Sequence, residues 1–511
     1  MNCKTSKRII FSLLLLTVFM PFNMVGKTLN LGSLFKNGMV LQRDMKVPIW
    51  GTATPGSVIS VEFAGQNKSV KTNIEGKWIL KLDKLKASLE PQILRVTEKN
   101  NDETEEIECS DVLVGEVWIC SGQSNMQLGY NGIPNIKALV PDAKNIRTFN
   151  VFRTVAFNEQ DTCKGEWVNK VPSSAVAFTF SYFLEKKMKN VPIGIILNPW
   201  GSSSIEAWMP KDMGKEIPYF KKMMDDFDAN KEFKDRIQSI LDGPKPWPTK
   251  DDIFLRRQSN ILYNAMMKPL IPFACRGIVW YQGERNTQSM FGEKKSPWWS
   301  VNSGMLRYGD VLKKMILRYR KEWNKKDLQF MVVMLPGYAK DMPQKAENPD
   351  TRSWAWMRES QMKVMDLPHT SVINTIDLGE LKQIHCKDKI PVGQRLALCA
   401  RKNIFGEKIV ASGPMMSKVI KHQNKLIVHF KNADGLKTKD GKSPSGFWLS
   451  DDNAKWYPAN AKIDGKKVVL QCPKLPKPLY VRYAFSGKPK VNLVNEDNLP
   501  AFPFRTDKFK P

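Results

Sequence analysis

Histidine is scarce in this chain: four in 511 residues, at 369, 385, 422 and 429. Any chemistry that needs an imidazole near neutral pH must draw on those four. Cysteine is sparse as well. The eight, at 3, 109, 120, 163, 275, 386, 399 and 472, form no Cys-x-x-Cys pair and no zinc-type spacing. That excludes a zinc finger and a thioredoxin-like motif. Acid is in deficit, with 51 Asp and Glu against 79 Lys and Arg and a formal charge of +28. Yet the basic residues are scattered, in pairs such as Lys186-Lys187 and Lys313-Lys314. No arginine-rich stripe or RNA-binding signature gathers them, which argues against nucleic acid as a partner. Past residue 26 no run is long and apolar enough to cross a bilayer.

What is present is core. The chain is 42% hydrophobic with 15 Trp, ample for packed domains and contrary to disorder. Lys4, Lys7 and Arg8 precede an apolar core from Ile9 to Met20, then Pro21 and small residues near Val25-Gly26. This pattern predicts a signal peptide over 1–26, and hence export to the periplasm or beyond the cell. Cys3 leaves with it, so seven cysteines remain and at least one thiol is unpaired within the monomer.

Three textures follow. Residues 27–110 hold short half-buried strands, among them Met39–Gln42, Val47–Gly51, Val58–Phe63 and Trp78–Leu82, with turns at Pro55-Gly56 and Glu75-Gly76. They predict an antiparallel β-sandwich module. Over 111–412 buried-strand runs alternate with helical patterns, the signature of βαβ units and a mostly parallel sheet in an α/β fold. The predicted strands are Val112–Cys120, Ile193–Leu197, Gly277–Tyr281, Phe330–Leu335 and Ser371–Ile376. The predicted helices include Ala175–Lys189, Gly304–Trp323, Trp354–Asp366 and Pro391–Phe405. Residues 211–255 are charged and Met-rich, and read as a helical insertion. From 413 to 511 the β texture returns as a second all-β module.

The chemistry gathers at predicted strand ends, where α/β folds place their reactive groups. Val112–Cys120 stops at Ser121-Gly122-Gln123-Ser124-Asn125, a Gly-x-Ser that presents a hydroxyl at the sheet edge. Its plain alternative is a strand-to-helix turn with a capping Ser. Next comes Asn198-Pro199-Trp200-Gly201, whose glycine lets a backbone N–H approach a ligand closely. Third is Trp280-Tyr281-Gln282-Gly283-Glu284-Arg285-Asn286. Asn286 has an amide suited to a developing oxyanion. Glu284 is suited to anchoring a sugar or Arg285. The last is Asp377 to His385. Of the four histidines only His385 lies in a loop after a central-domain strand and ahead of a helix. If Ser124 is a nucleophile, His385 is its base.

Taken in order, Gly122 to Met126, Trp200-Gly201, Trp280 to Asn286 and Ile384-His385 resemble the SGNH (GDSL-like) hydrolases. More closely, they resemble the sialate O-acetylesterase family of carbohydrate esterases. Met39 to Arg43, Pro48 to Gly51, Leu262 to Met267, Pro391 to Ala397 and Phe502 to Asp507 extend the likeness over nearly the whole chain. The resemblance implies a parallel sheet with helices on both faces, flanked by the two β modules. It implies acetyl-ester hydrolysis through an acetyl-enzyme, with Ser124 attacking and His385 taking its proton. The Ser124 N–H, the Gly201 N–H and the Asn286 side chain would form the oxyanion hole. Gln123, Gln282, Glu284 and Trp200 would line the substrate site, with Trp208, Trp280 and Tyr281 adding apolar wall for a sugar ring. The partner is then an acetylated sugar or glycan, and no metal or organic cofactor is implied.

Two departures stand out. The family places Asp two residues before its catalytic His; here that position is Gln383. An amide carbonyl can fix the imidazole tautomer but carries no full charge to stabilise imidazolium. Glu380, Asp377 or a backbone carbonyl is then the acceptor, or the pair works as a dyad. A non-catalytic or weakly active glycan-binding protein on the same fold is the alternative this departure suggests. A lipase or peptidase is less favoured, because no Gly-x-Ser-x-Gly surrounds Ser124. The second departure is Ser202, where the family has a second glycine.

Overall fold

A strand paired on both edges and covered on both faces must be apolar throughout. Val112 to Gly122 meets that condition, and every residue of it is buried. In the computed structural model, which describes residues 28–292, 302–340, 347–349 and 352–511, it lies at the centre of the largest sheet. The expected signal segment falls outside those residues.

The central sheet runs in the order Gly165–Val168, Ile146–Val151, Ile193–Pro199, Glu103–Gly122, Gly277–Tyr281, Gln329–Val333 and Thr370–Ile373. All neighbours are parallel except the first pair. The chain fills one side of the strand Glu103–Gly122 through Ile193–Pro199, then crosses to the other at Gly277–Tyr281. Ser124 follows the strand where that reversal occurs. Such a switch point leaves a crevice at the carboxyl ends of the strands.

Helices cover both faces. The Trp118 ring meets Phe180, on the helix Ala175–Glu185, edge-on with centroids 5.2 Å apart. Ser121 lies three residues on, so it points to the other face. Its register partner Trp280 donates its indole N–H to Tyr308 at 3.2 Å, on the helix Gly304–Glu322. The 211–255 segment forms three helices, Pro218–Ala229, Lys231–Asp242 and Thr249–Leu255. No described helix is long and apolar enough to cross a membrane.

The central strand starts earlier than its apolar run predicts, at Glu103 rather than Val112. Glu103 to Asn100 pairing begins a long antiparallel ribbon with Ser88–Asn100, and Val40–Gln42 runs parallel to Leu113–Gly115. Residues 110 and 111, expected at a junction, therefore lie inside one continuous strand. At the other end of the chain, two four-stranded antiparallel sheets follow residue 413. Arg358, fully buried, joins them to the centre by donating to the carbonyls of Pro336, Ser486 and Gly487. All seven described cysteines are free thiols.

Candidate active site

Gly122 ends the central strand at φ +134°, and a Cβ there would sit 2.2 Å from the Tyr281 carbonyl oxygen. Only glycine allows the neighbouring strand so close. The chain then turns at Gln123 into a single helical turn, Ser124–Gln127. This turn aims Ser124 at the loop between Thr370–Ile373 and the helix Ile390–Asn403. Ser124 Oγ and His385 Nε2 are 3.0 Å apart. Burial, and then the charge of Lys389, hold the half-buried His385 imidazole below its usual pKa. A neutral ring nitrogen thus faces the hydroxyl, ready to accept its proton.

No acid stands behind the ring. Among the described residues His385 has no partner beyond Ser124. Gln383 and Glu380 are exposed, and neither bonds to the imidazole. Asp377 is engaged elsewhere: Arg395 grips it with two bonds of 2.8 Å, and Lys439 of the C-terminal β region adds a third at 3.0 Å. It locks two parts of the fold together instead of serving His385.

The expected oxyanion donors divide. A Cβ on Gly201 would lie 3.3 Å from the Ser124 Cβ, so this backbone lies against Ser124. Its N–H is held by Gln127 Oε1 at 2.6 Å. The Ser124 N–H meets no acceptor among the described residues. Asn286, by contrast, is not free to donate to substrate. It is fully buried, and its NH₂ group donates to Glu206 at 3.1 Å and to Ser303 Oγ at 2.9 Å. Its oxygen accepts from Ile205 N and Gln282. The amide braces the loop after Gly201.

The expected substrate-binding residues are interior as well. Trp200, Trp208 and Trp280 are fully buried and Tyr281 nearly so, so none offers a face to a sugar. Trp200 stacks on Trp247, with ring centroids 6.3 Å apart. Gln123, Gln282 and Glu284 are buried and bond to one another's segments: Gln282 Nε2 to Gln123 Oε1 at 3.2 Å, and Asn125 Nδ2 to Glu284 Oε1 at 2.5 Å. They assemble the site without lining it.

What sequence reasoning missed is a group of arginines. Arg256 Nη1 lies 3.5 Å from the Cβ position of Gly201, beside Ser124. Its one acidic contact among the described residues is Asp252 at 3.4 Å. Arg257 has no side-chain partner among the described residues, and the Nε atoms of both are buried without an acceptor. Burial, then Arg256, lowers the Arg257 pKa; burial, then Arg257, pushes Arg285 down to about 10. Three guanidinium groups thus crowd the site with little counter-charge. The adjacent pair at the close of the charged insertion was the only sequence signal for them. Among the described residues no cluster of His, Cys, Asp or Glu is arranged to hold a metal ion.

A serine hydroxyl beside an imidazole, at the switch point of a parallel sheet, fits a hydrolase, and by its relatives the chain is a carboxylic ester hydrolase. Residues 114–241 and 251–402 match the family described as carbohydrate esterase, sialic acid-specific acetylesterase, and the chain belongs to that family. The human sialate O-acetylesterase is 26% identical over 467 residues, covering 84% of this chain and 82% of that protein. The rat sialate O-acetylesterase is 26% identical over 508 residues, covering 89% and 88%. A carbohydrate acetylesterase from Xanthomonas citri superposes with a TM-score of 0.75 at 31% identity, covering 94% of this chain and 100% of that one.

Proposed function

We propose that this chain is a sialate O-acetylesterase that works as a Ser124–His385 dyad through an acetyl-enzyme. The contact of 3.0 Å between the two side chains carries the reading. Ser124 Oγ adds to the acetyl carbonyl as its proton passes to His385 Nε2. The carbonyl oxygen, now negative, takes the Ser124 and Gly201 N–H groups as the Gln127 amide oxygen gives way. Each such donor contributes roughly 3–4 kcal/mol in the transition state. Collapse breaks the ester C–O bond, and the sugar oxygen leaves with the proton from His385. Water then adds to the acetyl-enzyme, giving its proton to His385, and acetate departs as that proton returns to Ser124 Oγ.

An acidic sugar suits Arg256 and Arg257, whose buried Nε atoms have no acceptor, because a substrate carboxylate adds counter-charge where Asp252 alone stands near Arg256. The switch-point serine, the parallel strand order and the two-sided helix cover support an SGNH-type catalytic unit over 111–412, with β modules before and after it. The charged and apolar pattern of residues 1–26 supports export.

Acetate release from O-acetylated sialic acid tests the function. Removing the nucleophile lowers kcat by about 10⁶-fold in a serine hydrolase. Ser124→Ala is expected to do likewise while the protein still binds substrate and melts as before. Hydrolysis at the wild-type rate by Ser124→Ala sinks the assignment.

A further inference from the structure

Behind the dyad runs a chain of buried polar groups that no step above uses. Asn125, next to the nucleophile, is fully buried. Its Nδ2 donates to the Ile384 carbonyl at 3.1 Å, the residue before the base, and to Glu284 Oε1 at 2.5 Å. Its Oδ1 accepts from Lys389 Nζ at 2.6 Å. Lys389 is 1% exposed, and that bond is its ammonium's only hydrogen bond among the described residues. The face of Tyr281 lies 5.0 Å from the same ammonium. Glu284 keeps a second oxygen, Oε2, buried without a partner.

We infer that Asn125, Lys389 and Glu284 are positioning residues that do for His385 what an acid partner does in a triad. The inference rests on the dyad reading above. A triad acid has two tasks: it holds the imidazole in place, and it sets the balance between imidazole and imidazolium. Here the first task falls to Asn125. One amide touches the segment of the nucleophile and the backbone of the base, so the two halves of the dyad are fixed relative to each other. Glu284 and Lys389 hold that amide from both ends. They also fix its orientation, since a carboxylate demands the NH₂ group and an ammonium demands the oxygen.

The second task falls to Lys389. Its ammonium stands near His385 in a poorly solvated place, where like charge disfavours imidazolium strongly. A triad acid favours imidazolium; this arrangement does the reverse and keeps the base free at lower pH. The charged and titratable groups facing Lys389 are Glu284 from the segment after Tyr281, and Cys386 and Asp388 from its own loop. Burial pushes the Glu284 carboxyl up, and its contacts with Asn125 and Lys389 act against that shift.

The pH dependence of kcat/KM for acetyl-ester hydrolysis tests this. In the wild type the acid limb should lie below the ordinary imidazole value of 6.5. Lys389→Met should move that limb upward, and Lys389→Arg should return it toward the wild-type position. Lys389→Gln should move it upward as well, and provides the reading if the methionine variant fails to fold. Asn125→Ala should lower kcat by about 10–100-fold, the usual loss when a supporting partner is removed, with little change in KM. A purely structural role would scale activity down equally at every pH. An acid limb that stays in place in both charge variants overturns the inference. Activity in Ser124→Ala would instead overturn the dyad itself, so the two failures are distinguishable.

Discussion

Glu116 and Ser124 stand on the same strand and its following turn, and the protein treats charge near them in opposite ways. Glu116 is fully buried, yet each carboxylate oxygen is engaged. Arg43 Nε and Arg276 Nη2 reach Oε1 at 2.6 and 2.8 Å; Arg276 Nε and Gln42 Nε2 reach Oε2 at 2.8 and 3.3 Å. Near Ser124 the same residue types are left wanting. Arg256 and Arg257 each bury an unpaired Nε and Glu284 buries an unpaired oxygen, and among the described residues His385 has no acid. Buried polar groups are normally satisfied, and the exceptions gather where something else must bind or react. The Glu116 cluster is a fastener between the N-terminal strands and the sheet. The Ser124 end leaves polar groups open, which is what the proposed function asks of it.

The comparison breaks first at the fastener. Glu116→Ala would take from Arg43 and Arg276 the carboxylate they share, leaving Asp44 at 3.4 Å from Arg43 and the Phe405 ring near both. Removing one partner of such a pair destabilises by roughly 3–5 kcal/mol. The urea midpoint should fall accordingly, while kcat/KM of the protein that remains folded stays at the wild-type value. A loss below about 1 kcal/mol, the range of exposed ion pairs, would mean that the two ends do not differ in kind.

At the other end the same kind of change should act on binding and not on stability. Arg257→Ala removes a guanidinium that has no partner to lose and that is repelled by Arg256. Its midpoint should hold or rise slightly. A hydrogen bond to a charged group contributes about 1.5–3 kcal/mol, so KM for an O-acetylated acidic sugar should rise by roughly 10–100-fold. A neutral acetyl ester should be hydrolysed as before. Equal losses on both substrates would remove the carboxylate from the argument.

The same contrast accounts for what could be read from the chain. Val112 to Cys120 is legible because a doubly paired, doubly covered strand has to be apolar. Its first half, Glu103 to Ser110, is not, because the ribbon there is largely exposed and its charges look like loop. With four histidines to choose from, elimination leads to the one that touches Ser124. The neighbouring motif residues mislead for a physical reason. Asn286, Gln282, Gln123 and Glu284 look like donors and acceptors for a ligand. In the fold they satisfy one another, and a pattern of types cannot say which polar group faces inward. Trp200 misleads likewise, since a large ring near a site is as apt to fill the core as to stack a sugar. Asn125 acts through the carbonyl of Ile384, which every residue type carries, so no motif marks it. Arg256 and Arg257 lie at the end of an insertion with no spacing rule to tie them to Ser124.

The smallest effect lies in the turn after Gly201, at the position where the family carries a second glycine. Ser202 sits at φ +61°, the left-handed region that L side chains avoid. That conformation costs a residue with a Cβ roughly 1–2 kcal/mol. Glycine would relieve it but would lose about 0.5–1 kcal/mol through its freer unfolded chain. Ser202→Gly should therefore gain stability by about 0.5–1 kcal/mol, read as a small rise in the denaturation midpoint. The Ser202 hydroxyl makes no hydrogen bond among the described residues, so nothing polar is lost with it. The turn carries Gly201 against the nucleophile, and the change should leave kcat/KM within about twofold, since the Gly201 N–H is held in place by the bracing of Ile205 on Asn286. A clear drop in stability would mean that the serine is tied down by an interaction the left-handed turn depends on.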